Sequence, residues 1–326
     1  MEHTLYLQTG STDPAYNLAF EEYVLKNRTQ GNILILWQND RAVIIGRNQN
    51  TAQEIDSAFI AANGIRVVRR NTGGGAVYHD LGNLNYSFIT DDTGDRKGFT
   101  APVVRALQNL GLDACASGRN DILVAGQKVS GTAQQITKGR ILHHGTLLFD
   151  SDFTMITGAL TPDPTKFLSK GVKSVRSRVG NIRAHLEQEM DLPAFWRYLE
   201  QSLANSLQPD ALTEQEIQEV LQLKAQKYDT WDWNYGKSPA YELKNKCRYP
   251  GGMLEVHLSV SGGVITGIKL FGDFLAVQPV DILENNLIGC KCQVDALMDA
   301  LTKLPVADCL GAITEKELIE LILSSN

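Results

Sequence analysis

Three glycines in a row, with two arginines before them and a His-Asp pair after, are the densest chemical signal in the chain: RRNTGGGAVYHDLGN at 69–83. With no Cβ at three successive positions, backbone N–H groups can close on an anion. A guanidinium from Arg69 or Arg70 can grip phosphate through two parallel hydrogen bonds. The pattern is neither a Walker A loop nor a dinucleotide fingerprint. No Gly-Lys-Ser/Thr follows, and the G-x-G-x-x-G spacing fails at Tyr78. The plain alternative is a flexible turn with charged flanks. A second cluster, SGRND (117–121), precedes GQKVSGT (126–132). Asn120 and Asp121 could hold a ribose hydroxyl, an adenine edge or a hydrated Mg²⁺, or could form an Asx turn into the next strand. Lys128 could neutralise phosphate and a developing carbonyl charge together, or lie exposed on an edge strand. In ILHHGTLLF (141–149), strand alternation sends His143 and His144 to opposite faces, which argues against a metal pair. KGVKSVRSRVG (170–180) is a basic segment in an acidic chain. It is either a solvated face or a surface for an acidic ligand or partner.

These residues need a scaffold of strands and loops. Asp13 followed by Pro14 is a helix start, and Tyr16, Phe20, Tyr23 and Val24 carry the helix to about Arg28. Ile33–Trp37 and Ala42–Gly46 read as an antiparallel hairpin. Glu54–Asn63 reads as a helix stopped by Gly64. Ile65–Arg69 is a strand that runs into the glycines, and Leu84–Ile89 is another. Pro102–Leu110 is a helix ended by Gly111. Ile122–Ala125, Lys128–Gln134 and Arg140–Phe149 read as three further strands. Hairpins within this alternation favour α+β over a doubly wound parallel sheet. Residues 161–181 read as an ordered loop, followed by helices at about 192–206 and 213–227. The stretch from Asp229 to Pro239 reads as a linker or a domain end. A second domain follows. Leu254, Val256, Leu258 and Val260 alternate with polar residues, turn at Ser261–Gly263, and continue as Val264, Thr266, Ile268 and Leu270. That is a hairpin with one buried face. Val294–Leu304 and Glu315–Leu323 read as amphipathic helices. The expected division is a catalytic domain at 1–240 and an accessory domain at 247–326.

The chain has 326 residues, 43% hydrophobic and 21% charged, which suits two ordinary globular domains and excludes disorder or collagen. Its longest apolar runs fall far short of the about 20 residues of a membrane helix. The first residues lack a secretory pattern. Net charge is 31 − 37 = −6, which argues for a cytoplasmic protein and against non-specific nucleic-acid binding; neither nucleic acid nor membrane is expected as a partner. Five cysteines, an odd number spread thinly, are expected to be reduced thiols. Cys290 and Cys292 are too few for a zinc site. A monomer is expected.

RRNTGGGAVYHDLGN (69–83), SGRNDI (117–122), KVSGTA (128–133), HHGTLL (143–148) and GVKSVRSRVGN (171–181), in that order, resemble the lipoate–protein ligase A family. The resemblance implies an antiparallel-sheet-centred α+β domain like that of biotin ligases and class II synthetases, with a C-terminal accessory domain. It implies that lipoate and ATP give lipoyl-AMP and pyrophosphate. The lipoyl group then passes to a lysine of an apo lipoyl domain, with release of AMP. Acyltransferase subunits of 2-oxoacid dehydrogenases and the glycine-cleavage H protein would be the acceptors. Carried over, Arg70 binds phosphate, and Gly75, Ala76, Val77 and Tyr78 line the ATP and lipoyl site with Gly74, His79 and Asn83 nearby. Lys128 meets the lipoyl carbonyl and the α-phosphate. Asn120 and Asp121 sit at the nucleotide, Asp121 with Mg²⁺. Lys173, Arg176 and Arg178 belong to a loop that closes over the adenylate. Asn71 and Thr72 replace a Ser-Ser pair, and Tyr78 a Phe; neither change removes a charge. The competing reading is an octanoyl- or lipoyl-transferase of the same superfamily, which needs no ATP and uses a cysteine nucleophile. No cysteine occurs from Ala116 to Lys246, which favours the ligase.

Overall fold

The computed structural model describes residues 4–49, 51–93, 98–118, 120–160, 179–203, 206–235, 243–261 and 263–324. In chain order the first strands are β1 (Thr4–Gln8), β2 (Asn32–Trp37), β3 (Ala42–Ile45), β4 (Arg66–Arg69), β5 (Val77–His79) and β6 (Asn83–Asp91). They are followed by β7 (Ala114–Ser117), β8 (Asp121–Val124), β9 (Gln127–Thr137), β10 (Arg140–Leu148) and β11 (Leu207–Pro209). Eight form one sheet in the order β11-β1-β2-β6-β10-β9-β8-β7. Only β1 makes parallel pairs there, with β2 and β11. The fold is therefore α+β with a mainly antiparallel sheet, as expected.

The hairpin expected from Ile33–Trp37 and Ala42–Gly46 does not form. β2 pairs with β1 and β6 in the large sheet, whereas β3 lies in a separate sheet of order β4-β3-β5. The two runs are buried at nearly every position. A strand with no polar face carries no signal of which sheet it joins. The turn, with Arg41 at φ +37, hands the chain from one layer to the next. The expected helix over 54–63 is also divided: Thr51–Glu54 and Ser57–Ala62 are separate, and Asp56 caps the second by accepting from Phe59 N.

One face of the large sheet buries Leu34, Leu36, Tyr86, Phe88, Leu147 and Val129 under helices Ala101–Asn109 and Leu192–Ser202. The helix Pro14–Asn27, capped by Asp13, packs against the opposite side with Ile33, Ile35, Ile44 and Val68. Its core-facing contacts span both sheets, so it holds them together.

β12 (Leu243–Tyr249), β13 (Gly252–Ser261) and β14 (Val264–Gly272) form an antiparallel sheet of their own. Leu254, Val256, Leu258, Ile268 and Leu270 bury one face against Leu297, Leu301, Leu318 and Ile322. Backbone bonds join this unit to the first: Gly272 N to Asn48 O at 2.6 Å, Gly74 N to Phe274 O at 3.0 Å and Ile136 N to Val277 O at 3.1 Å. The stretch read as a linker begins as structure. Trp231–Asn234 is a helical turn fastened to β4 (below), and residues 236–242 lie outside the described residues.

Candidate functional site

The two arginines before the glycines fold the chain around themselves. Arg69 donates to Trp233 O, Gly46 O, Arg47 O, Gln49 O, Thr51 Oγ1 and Asn234 O, at 2.6 to 3.2 Å. That leaves its guanidinium committed to structure. Arg70 donates from Nε to Thr72 Oγ1 at 2.9 Å and from Nη1 to Ile44 O at 3.1 Å. Its Nη2 holds Gly73 O at 2.6 Å and Gly75 O at 2.9 Å, curling the glycine loop. Burial draws both arginines down to about 10, so each remains a cation at neutral pH.

The three glycines have different reasons. A Cβ on Gly73 would lie 2.6 Å from Ala276 N and 2.7 Å from Phe274 O, so close approach of the C-terminal unit requires glycine there. Gly74 sits at φ +88. A Cβ on Gly75 would meet nothing within 4 Å, so its side of the loop is open. Opposite, Gly46 is forced by the loop itself, since a Cβ there would be 1.9 Å from Gly74 O.

Below the loop, register aligns a polar sheet face. Thr146 pairs with Asn85 and His144 with Ser87 between β10 and β6, and Trp37 of β2 pairs with Asn85. Paired residues share a face. Thr146 Oγ1 accepts from Gly131 N, and Gly131 pairs with Asp121 of β8. Thr72 of the loop reaches this face through His144 Nε2 at 2.8 Å. Asp121 Oδ1 lies 2.7 Å from Lys128 Nζ, both half-exposed. A Cβ on Gly131 would press on Lys128 Nζ at 3.3 Å, so glycine leaves the amine its room. Asn120 ties the preceding turn to β9 by donating to Thr132 O and accepting from Thr132 N through its carbonyl. Where the chain re-enters the described residues, Gly180 N donates to Lys128 O at 3.0 Å. The end of the basic segment is thus fastened beside Lys128, whereas Lys173, Arg176 and Arg178 lie outside the described residues.

His79 shows which proton it carries. Asn17 Nδ2 donates to Asn39 Oδ1 at 2.9 Å, so Asn39 Nδ2 is the donor to His79 Nδ1 at 3.0 Å. The imidazole proton is then on Nε2, which is buried without a partner. Burial, with Arg70 and His144 nearby, pulls His79 down to about 3 and keeps it neutral. Asn83 Nδ2 donates to Asn85 Oδ1 at 3.1 Å, which leaves Asn83 Oδ1 and Asn85 Nδ2 buried and unpartnered. A donor, an acceptor and a second donor remain available on short neighbouring segments. Val77 packs toward the helix core and Tyr78 toward Val43, Ile45 and Ile60, so Tyr78 turns its ring away from Val77 and His79. Burial pushes its hydroxyl up to about 12.

Of the residues expected at the site, Lys128 and Asp121 lie together; Glu21, Asn85 and Ser87, which join the same polar cluster, carry no expectation from the sequence, and His144 none beyond its face. Glu21 is marked in the sequence only as one of two adjacent acids in the middle of the Pro14–Asn27 helix.

Residues 13–204 match the model of the lipoyl protein ligase A/B catalytic domain, and residues 238–322 that of the bacterial lipoate protein ligase C-terminus. Lipoate-protein ligase LplJ of Bacillus subtilis is 44% identical over 320 residues, 95% of this chain and 97% of that protein. Lipoate–protein ligase 1 of Staphylococcus aureus is 41% identical over 318 residues, 95% and 97% of the two chains. Among solved structures, Plasmodium falciparum LipL1 in complex with lipoate aligns with a TM-score of 0.81 at 28% identity, covering 92% of this chain and 94% of that one. A lipoate-protein ligase A bound with ATP aligns at 0.62 and 31%, covering 72% and 98%. A bipartite lipoate protein ligase from Thermoplasma acidophilum, described with its E2 lipoyl domain, aligns at 0.63 and 31%, covering 74% and 98%. The chain belongs to the lipoate–protein ligase family.

Proposed function

We propose that this protein activates lipoate with ATP and transfers the lipoyl group to a lysine of an apo lipoyl domain. The observation that carries this reading is the Lys128–Asp121 pair, 2.7 Å apart on the sheet face that the Arg70-curled loop covers through Thr72 and His144. The relatives named for lipoate ligation, and the solved ligases holding lipoate or ATP, support it.

In the first step a lipoate carboxylate oxygen attacks the α-phosphorus of ATP, and the bond to the β-phosphate oxygen breaks to release pyrophosphate. The mixed anhydride carries a carbonyl oxygen and phosphate oxygens side by side, and one lysine cation can stabilise both as charge develops. Lys128 takes that role by exchanging Asp121 for substrate oxygens. Gly75, Ala76 and Val77 offer backbone at the nucleotide, with Arg70 holding Gly73 O and Gly75 O; Gly74, whose N–H is held by Phe274 O, shapes the turn that presents them. His79 Nε2–H and the free ends of Asn83 and Asn85 are suited to lipoyl or ribose oxygens. Asn120 shapes the turn that presents Asp121. Tyr78 contributes backbone. In the second step the acceptor's ε-amine attacks the lipoyl carbonyl and AMP leaves. Lys173, Arg176 and Arg178 shield the adenylate from water between the two steps.

Mg²⁺ fits as an ion carried by the triphosphate. Among the described residues no group of three or more His, Cys, Asp or Glu could cage a metal, and Asp121 offers a single carboxylate. That matches Mg²⁺, which keeps its waters and is held by phosphates and one or two carboxylates. When bound it would neutralise triphosphate charge. The catalytic domain is assigned to 1–240 and the accessory domain to 247–326. The acceptors are lipoyl domains of 2-oxoacid dehydrogenases and the glycine-cleavage H protein, met by a cytoplasmic monomer. No helix among the described residues is long and apolar enough to cross a membrane.

Lipoate-dependent ATP–pyrophosphate exchange tests the reading. Exchange should occur in the parent and vanish in Lys128→Ala while the variant stays folded. Absence of exchange with intact transfer from added lipoyl-AMP would defeat the activation step. Octanoyl transfer from acyl carrier protein without ATP would replace the ligase reading by a transferase one.

A further inference from the structure

Behind the glycine loop a buried carboxylate and a buried guanidinium face each other across the side chains of His144 and Thr72. Glu21 is 4% exposed, His144 7%, Thr72 1% and Arg70 7%. His144 Nδ1 lies 2.9 and 3.0 Å from the two Glu21 oxygens, and its Nε2 lies 2.8 Å from Thr72 Oγ1. Arg70 Nε donates to that same Thr72 oxygen at 2.9 Å. The directions follow from the donors available. A guanidinium only donates, so Thr72 accepts from Arg70, and its own proton is free to turn to His144 Nε2. In that arrangement the imidazole presents its Nδ1 proton to Glu21. Glu21 also accepts from Ser87 Oγ at 2.5 Å, and Ser87 from Trp37 Nε1 at 2.9 Å. Every link runs donor to acceptor from the cation to the anion, an arrangement in which each bond polarises the next.

The order Glu-His-Thr is also the order of a hydrolytic triad, but Thr72 cannot act as a nucleophile here. Its hydroxyl lies under the Arg70 guanidinium with no exposed surface for an acyl group. What the relay touches at its far end is the loop. Arg70 Nη2 holds Gly73 O and Gly75 O, so fixing the guanidinium plane fixes the curvature of the glycines. We propose that Glu21, His144 and Thr72 are positioning residues for the adenylation step. They act through Arg70 to hold the glycine loop in the shape that receives the phosphate of ATP. This inference rests on the reading that the loop and Lys128 bind the adenylate.

The test uses the full chain and lipoate-dependent ATP–pyrophosphate exchange, with ATP varied at saturating lipoate. Thr72→Val removes the hydroxyl and keeps the shape; Glu21→Gln keeps the shape and removes the charge. Losing a hydrogen bond to a charged group should raise KM for ATP about 10-fold or more in each. The fall in kcat should be smaller than the rise in KM. A merely structural role would reduce the amount of active enzyme and leave KM where it was. The double variant should be little worse than the worse single, because both cut one relay. Thr72→Ser should restore most of what Thr72→Val loses. Unchanged KM in Glu21→Gln, losses that multiply in the double variant, or no rescue by serine would overturn the proposal. If Thr72→Val does not fold, the Glu21→Gln result alone decides. Lys128→Ala separates the two layers. If it keeps exchange, the adenylate reading fails and this proposal with it. If it is inactive while the relay variants match the parent, only the relay fails.

Discussion

Two neighbouring glycines should respond to the same substitution in opposite ways. At Gly73 an added Cβ would sit 2.6 Å from Ala276 N and 2.7 Å from Phe274 O, both backbone atoms that cannot swing aside. The C-terminal unit must retreat, which strains three backbone bonds: Gly74 N to Phe274 O, Gly272 N to Asn48 O and Ile136 N to Val277 O. At about 0.5–1.5 kcal/mol net for each bond, Gly73→Ala should weaken the junction by about 1.5–4.5 kcal/mol. At Gly75 the Cβ would meet nothing within 4 Å, and the glycine does not sit at positive φ. Gly75→Ala should leave unfolding free energy within about 0.5 kcal/mol of the parent. It should nonetheless raise KM for ATP, because the methyl fills the open side where a phosphate would approach the backbone. Urea unfolding, amide exchange at Gly74 and the exchange reaction at varied ATP read the three effects separately. Slower exchange is expected at Gly74 in the parent and faster exchange in Gly73→Ala. If Gly75→Ala keeps the parent KM, the open side of the loop is not where nucleotide binds. If Gly73→Ala leaves both stability and Gly74 protection unchanged, the unit does not rest on the loop in solution.

Arg69→Lys should destabilise the fold by about 3 kcal/mol or more by thermal unfolding, since three ammonium protons cannot serve the six acceptors that the guanidinium now holds. Equal melting temperatures would show that these bonds are not worth their count. Cys115→Ser should retain lipoyl transfer, because Cys115 is exposed on the edge strand β7 and the proposed adenylate route uses no cysteine nucleophile. Loss of transfer with exchange intact would argue for an acyl-enzyme. His79 and His143 are both buried, which pulls each down to about 3 from an ordinary 6.5. Below about pH 6.5 the unfolded chain binds protons that the folded chain refuses, so stability is full above that pH and falls as pH drops toward 3. The slope is about 1.4 kcal/mol per pH unit for each histidine. His143→Gln should remove its share of that slope in urea titrations at pH 5 and 6; an unchanged slope would mean that His143 titrates normally.

The parts of the site that the sequence made legible are those whose chemistry is local. Consecutive glycines, a strand lysine and an Asn-Asp turn announce themselves within a few residues, and β9 and β10 follow from their own composition. What stayed hidden depends on partners far along the chain. Arg69 and Arg70 are identical in type and adjacent in sequence. Yet one is bound to Trp233 and Asn234, some 165 residues away, while the other curls the glycines beside it. No local pattern distinguishes them, because the difference lies in which carbonyls the fold brings near. The failed hairpin has the same origin: β2 and β3 are apolar on both faces, so composition could not say that they belong to different layers. The helix Pro14–Asn27 did carry a usable sign. Glu21 and Glu22 are buried in this helix among mostly apolar neighbours, and buried carboxylates must be paired or hydrogen-bonded. Glu22 meets Lys227, Tyr228 and Asn71, and Glu21 meets His144 and Ser87. Asn71 and Thr72, the two residues just before the glycines, are thereby tied to adjacent residues of one helix, Asn71 directly to Glu22 and Thr72 through His144 to Glu21. Burial forbids those two acids to stand alone, and meeting that demand fastens the glycine loop to the helix beneath it.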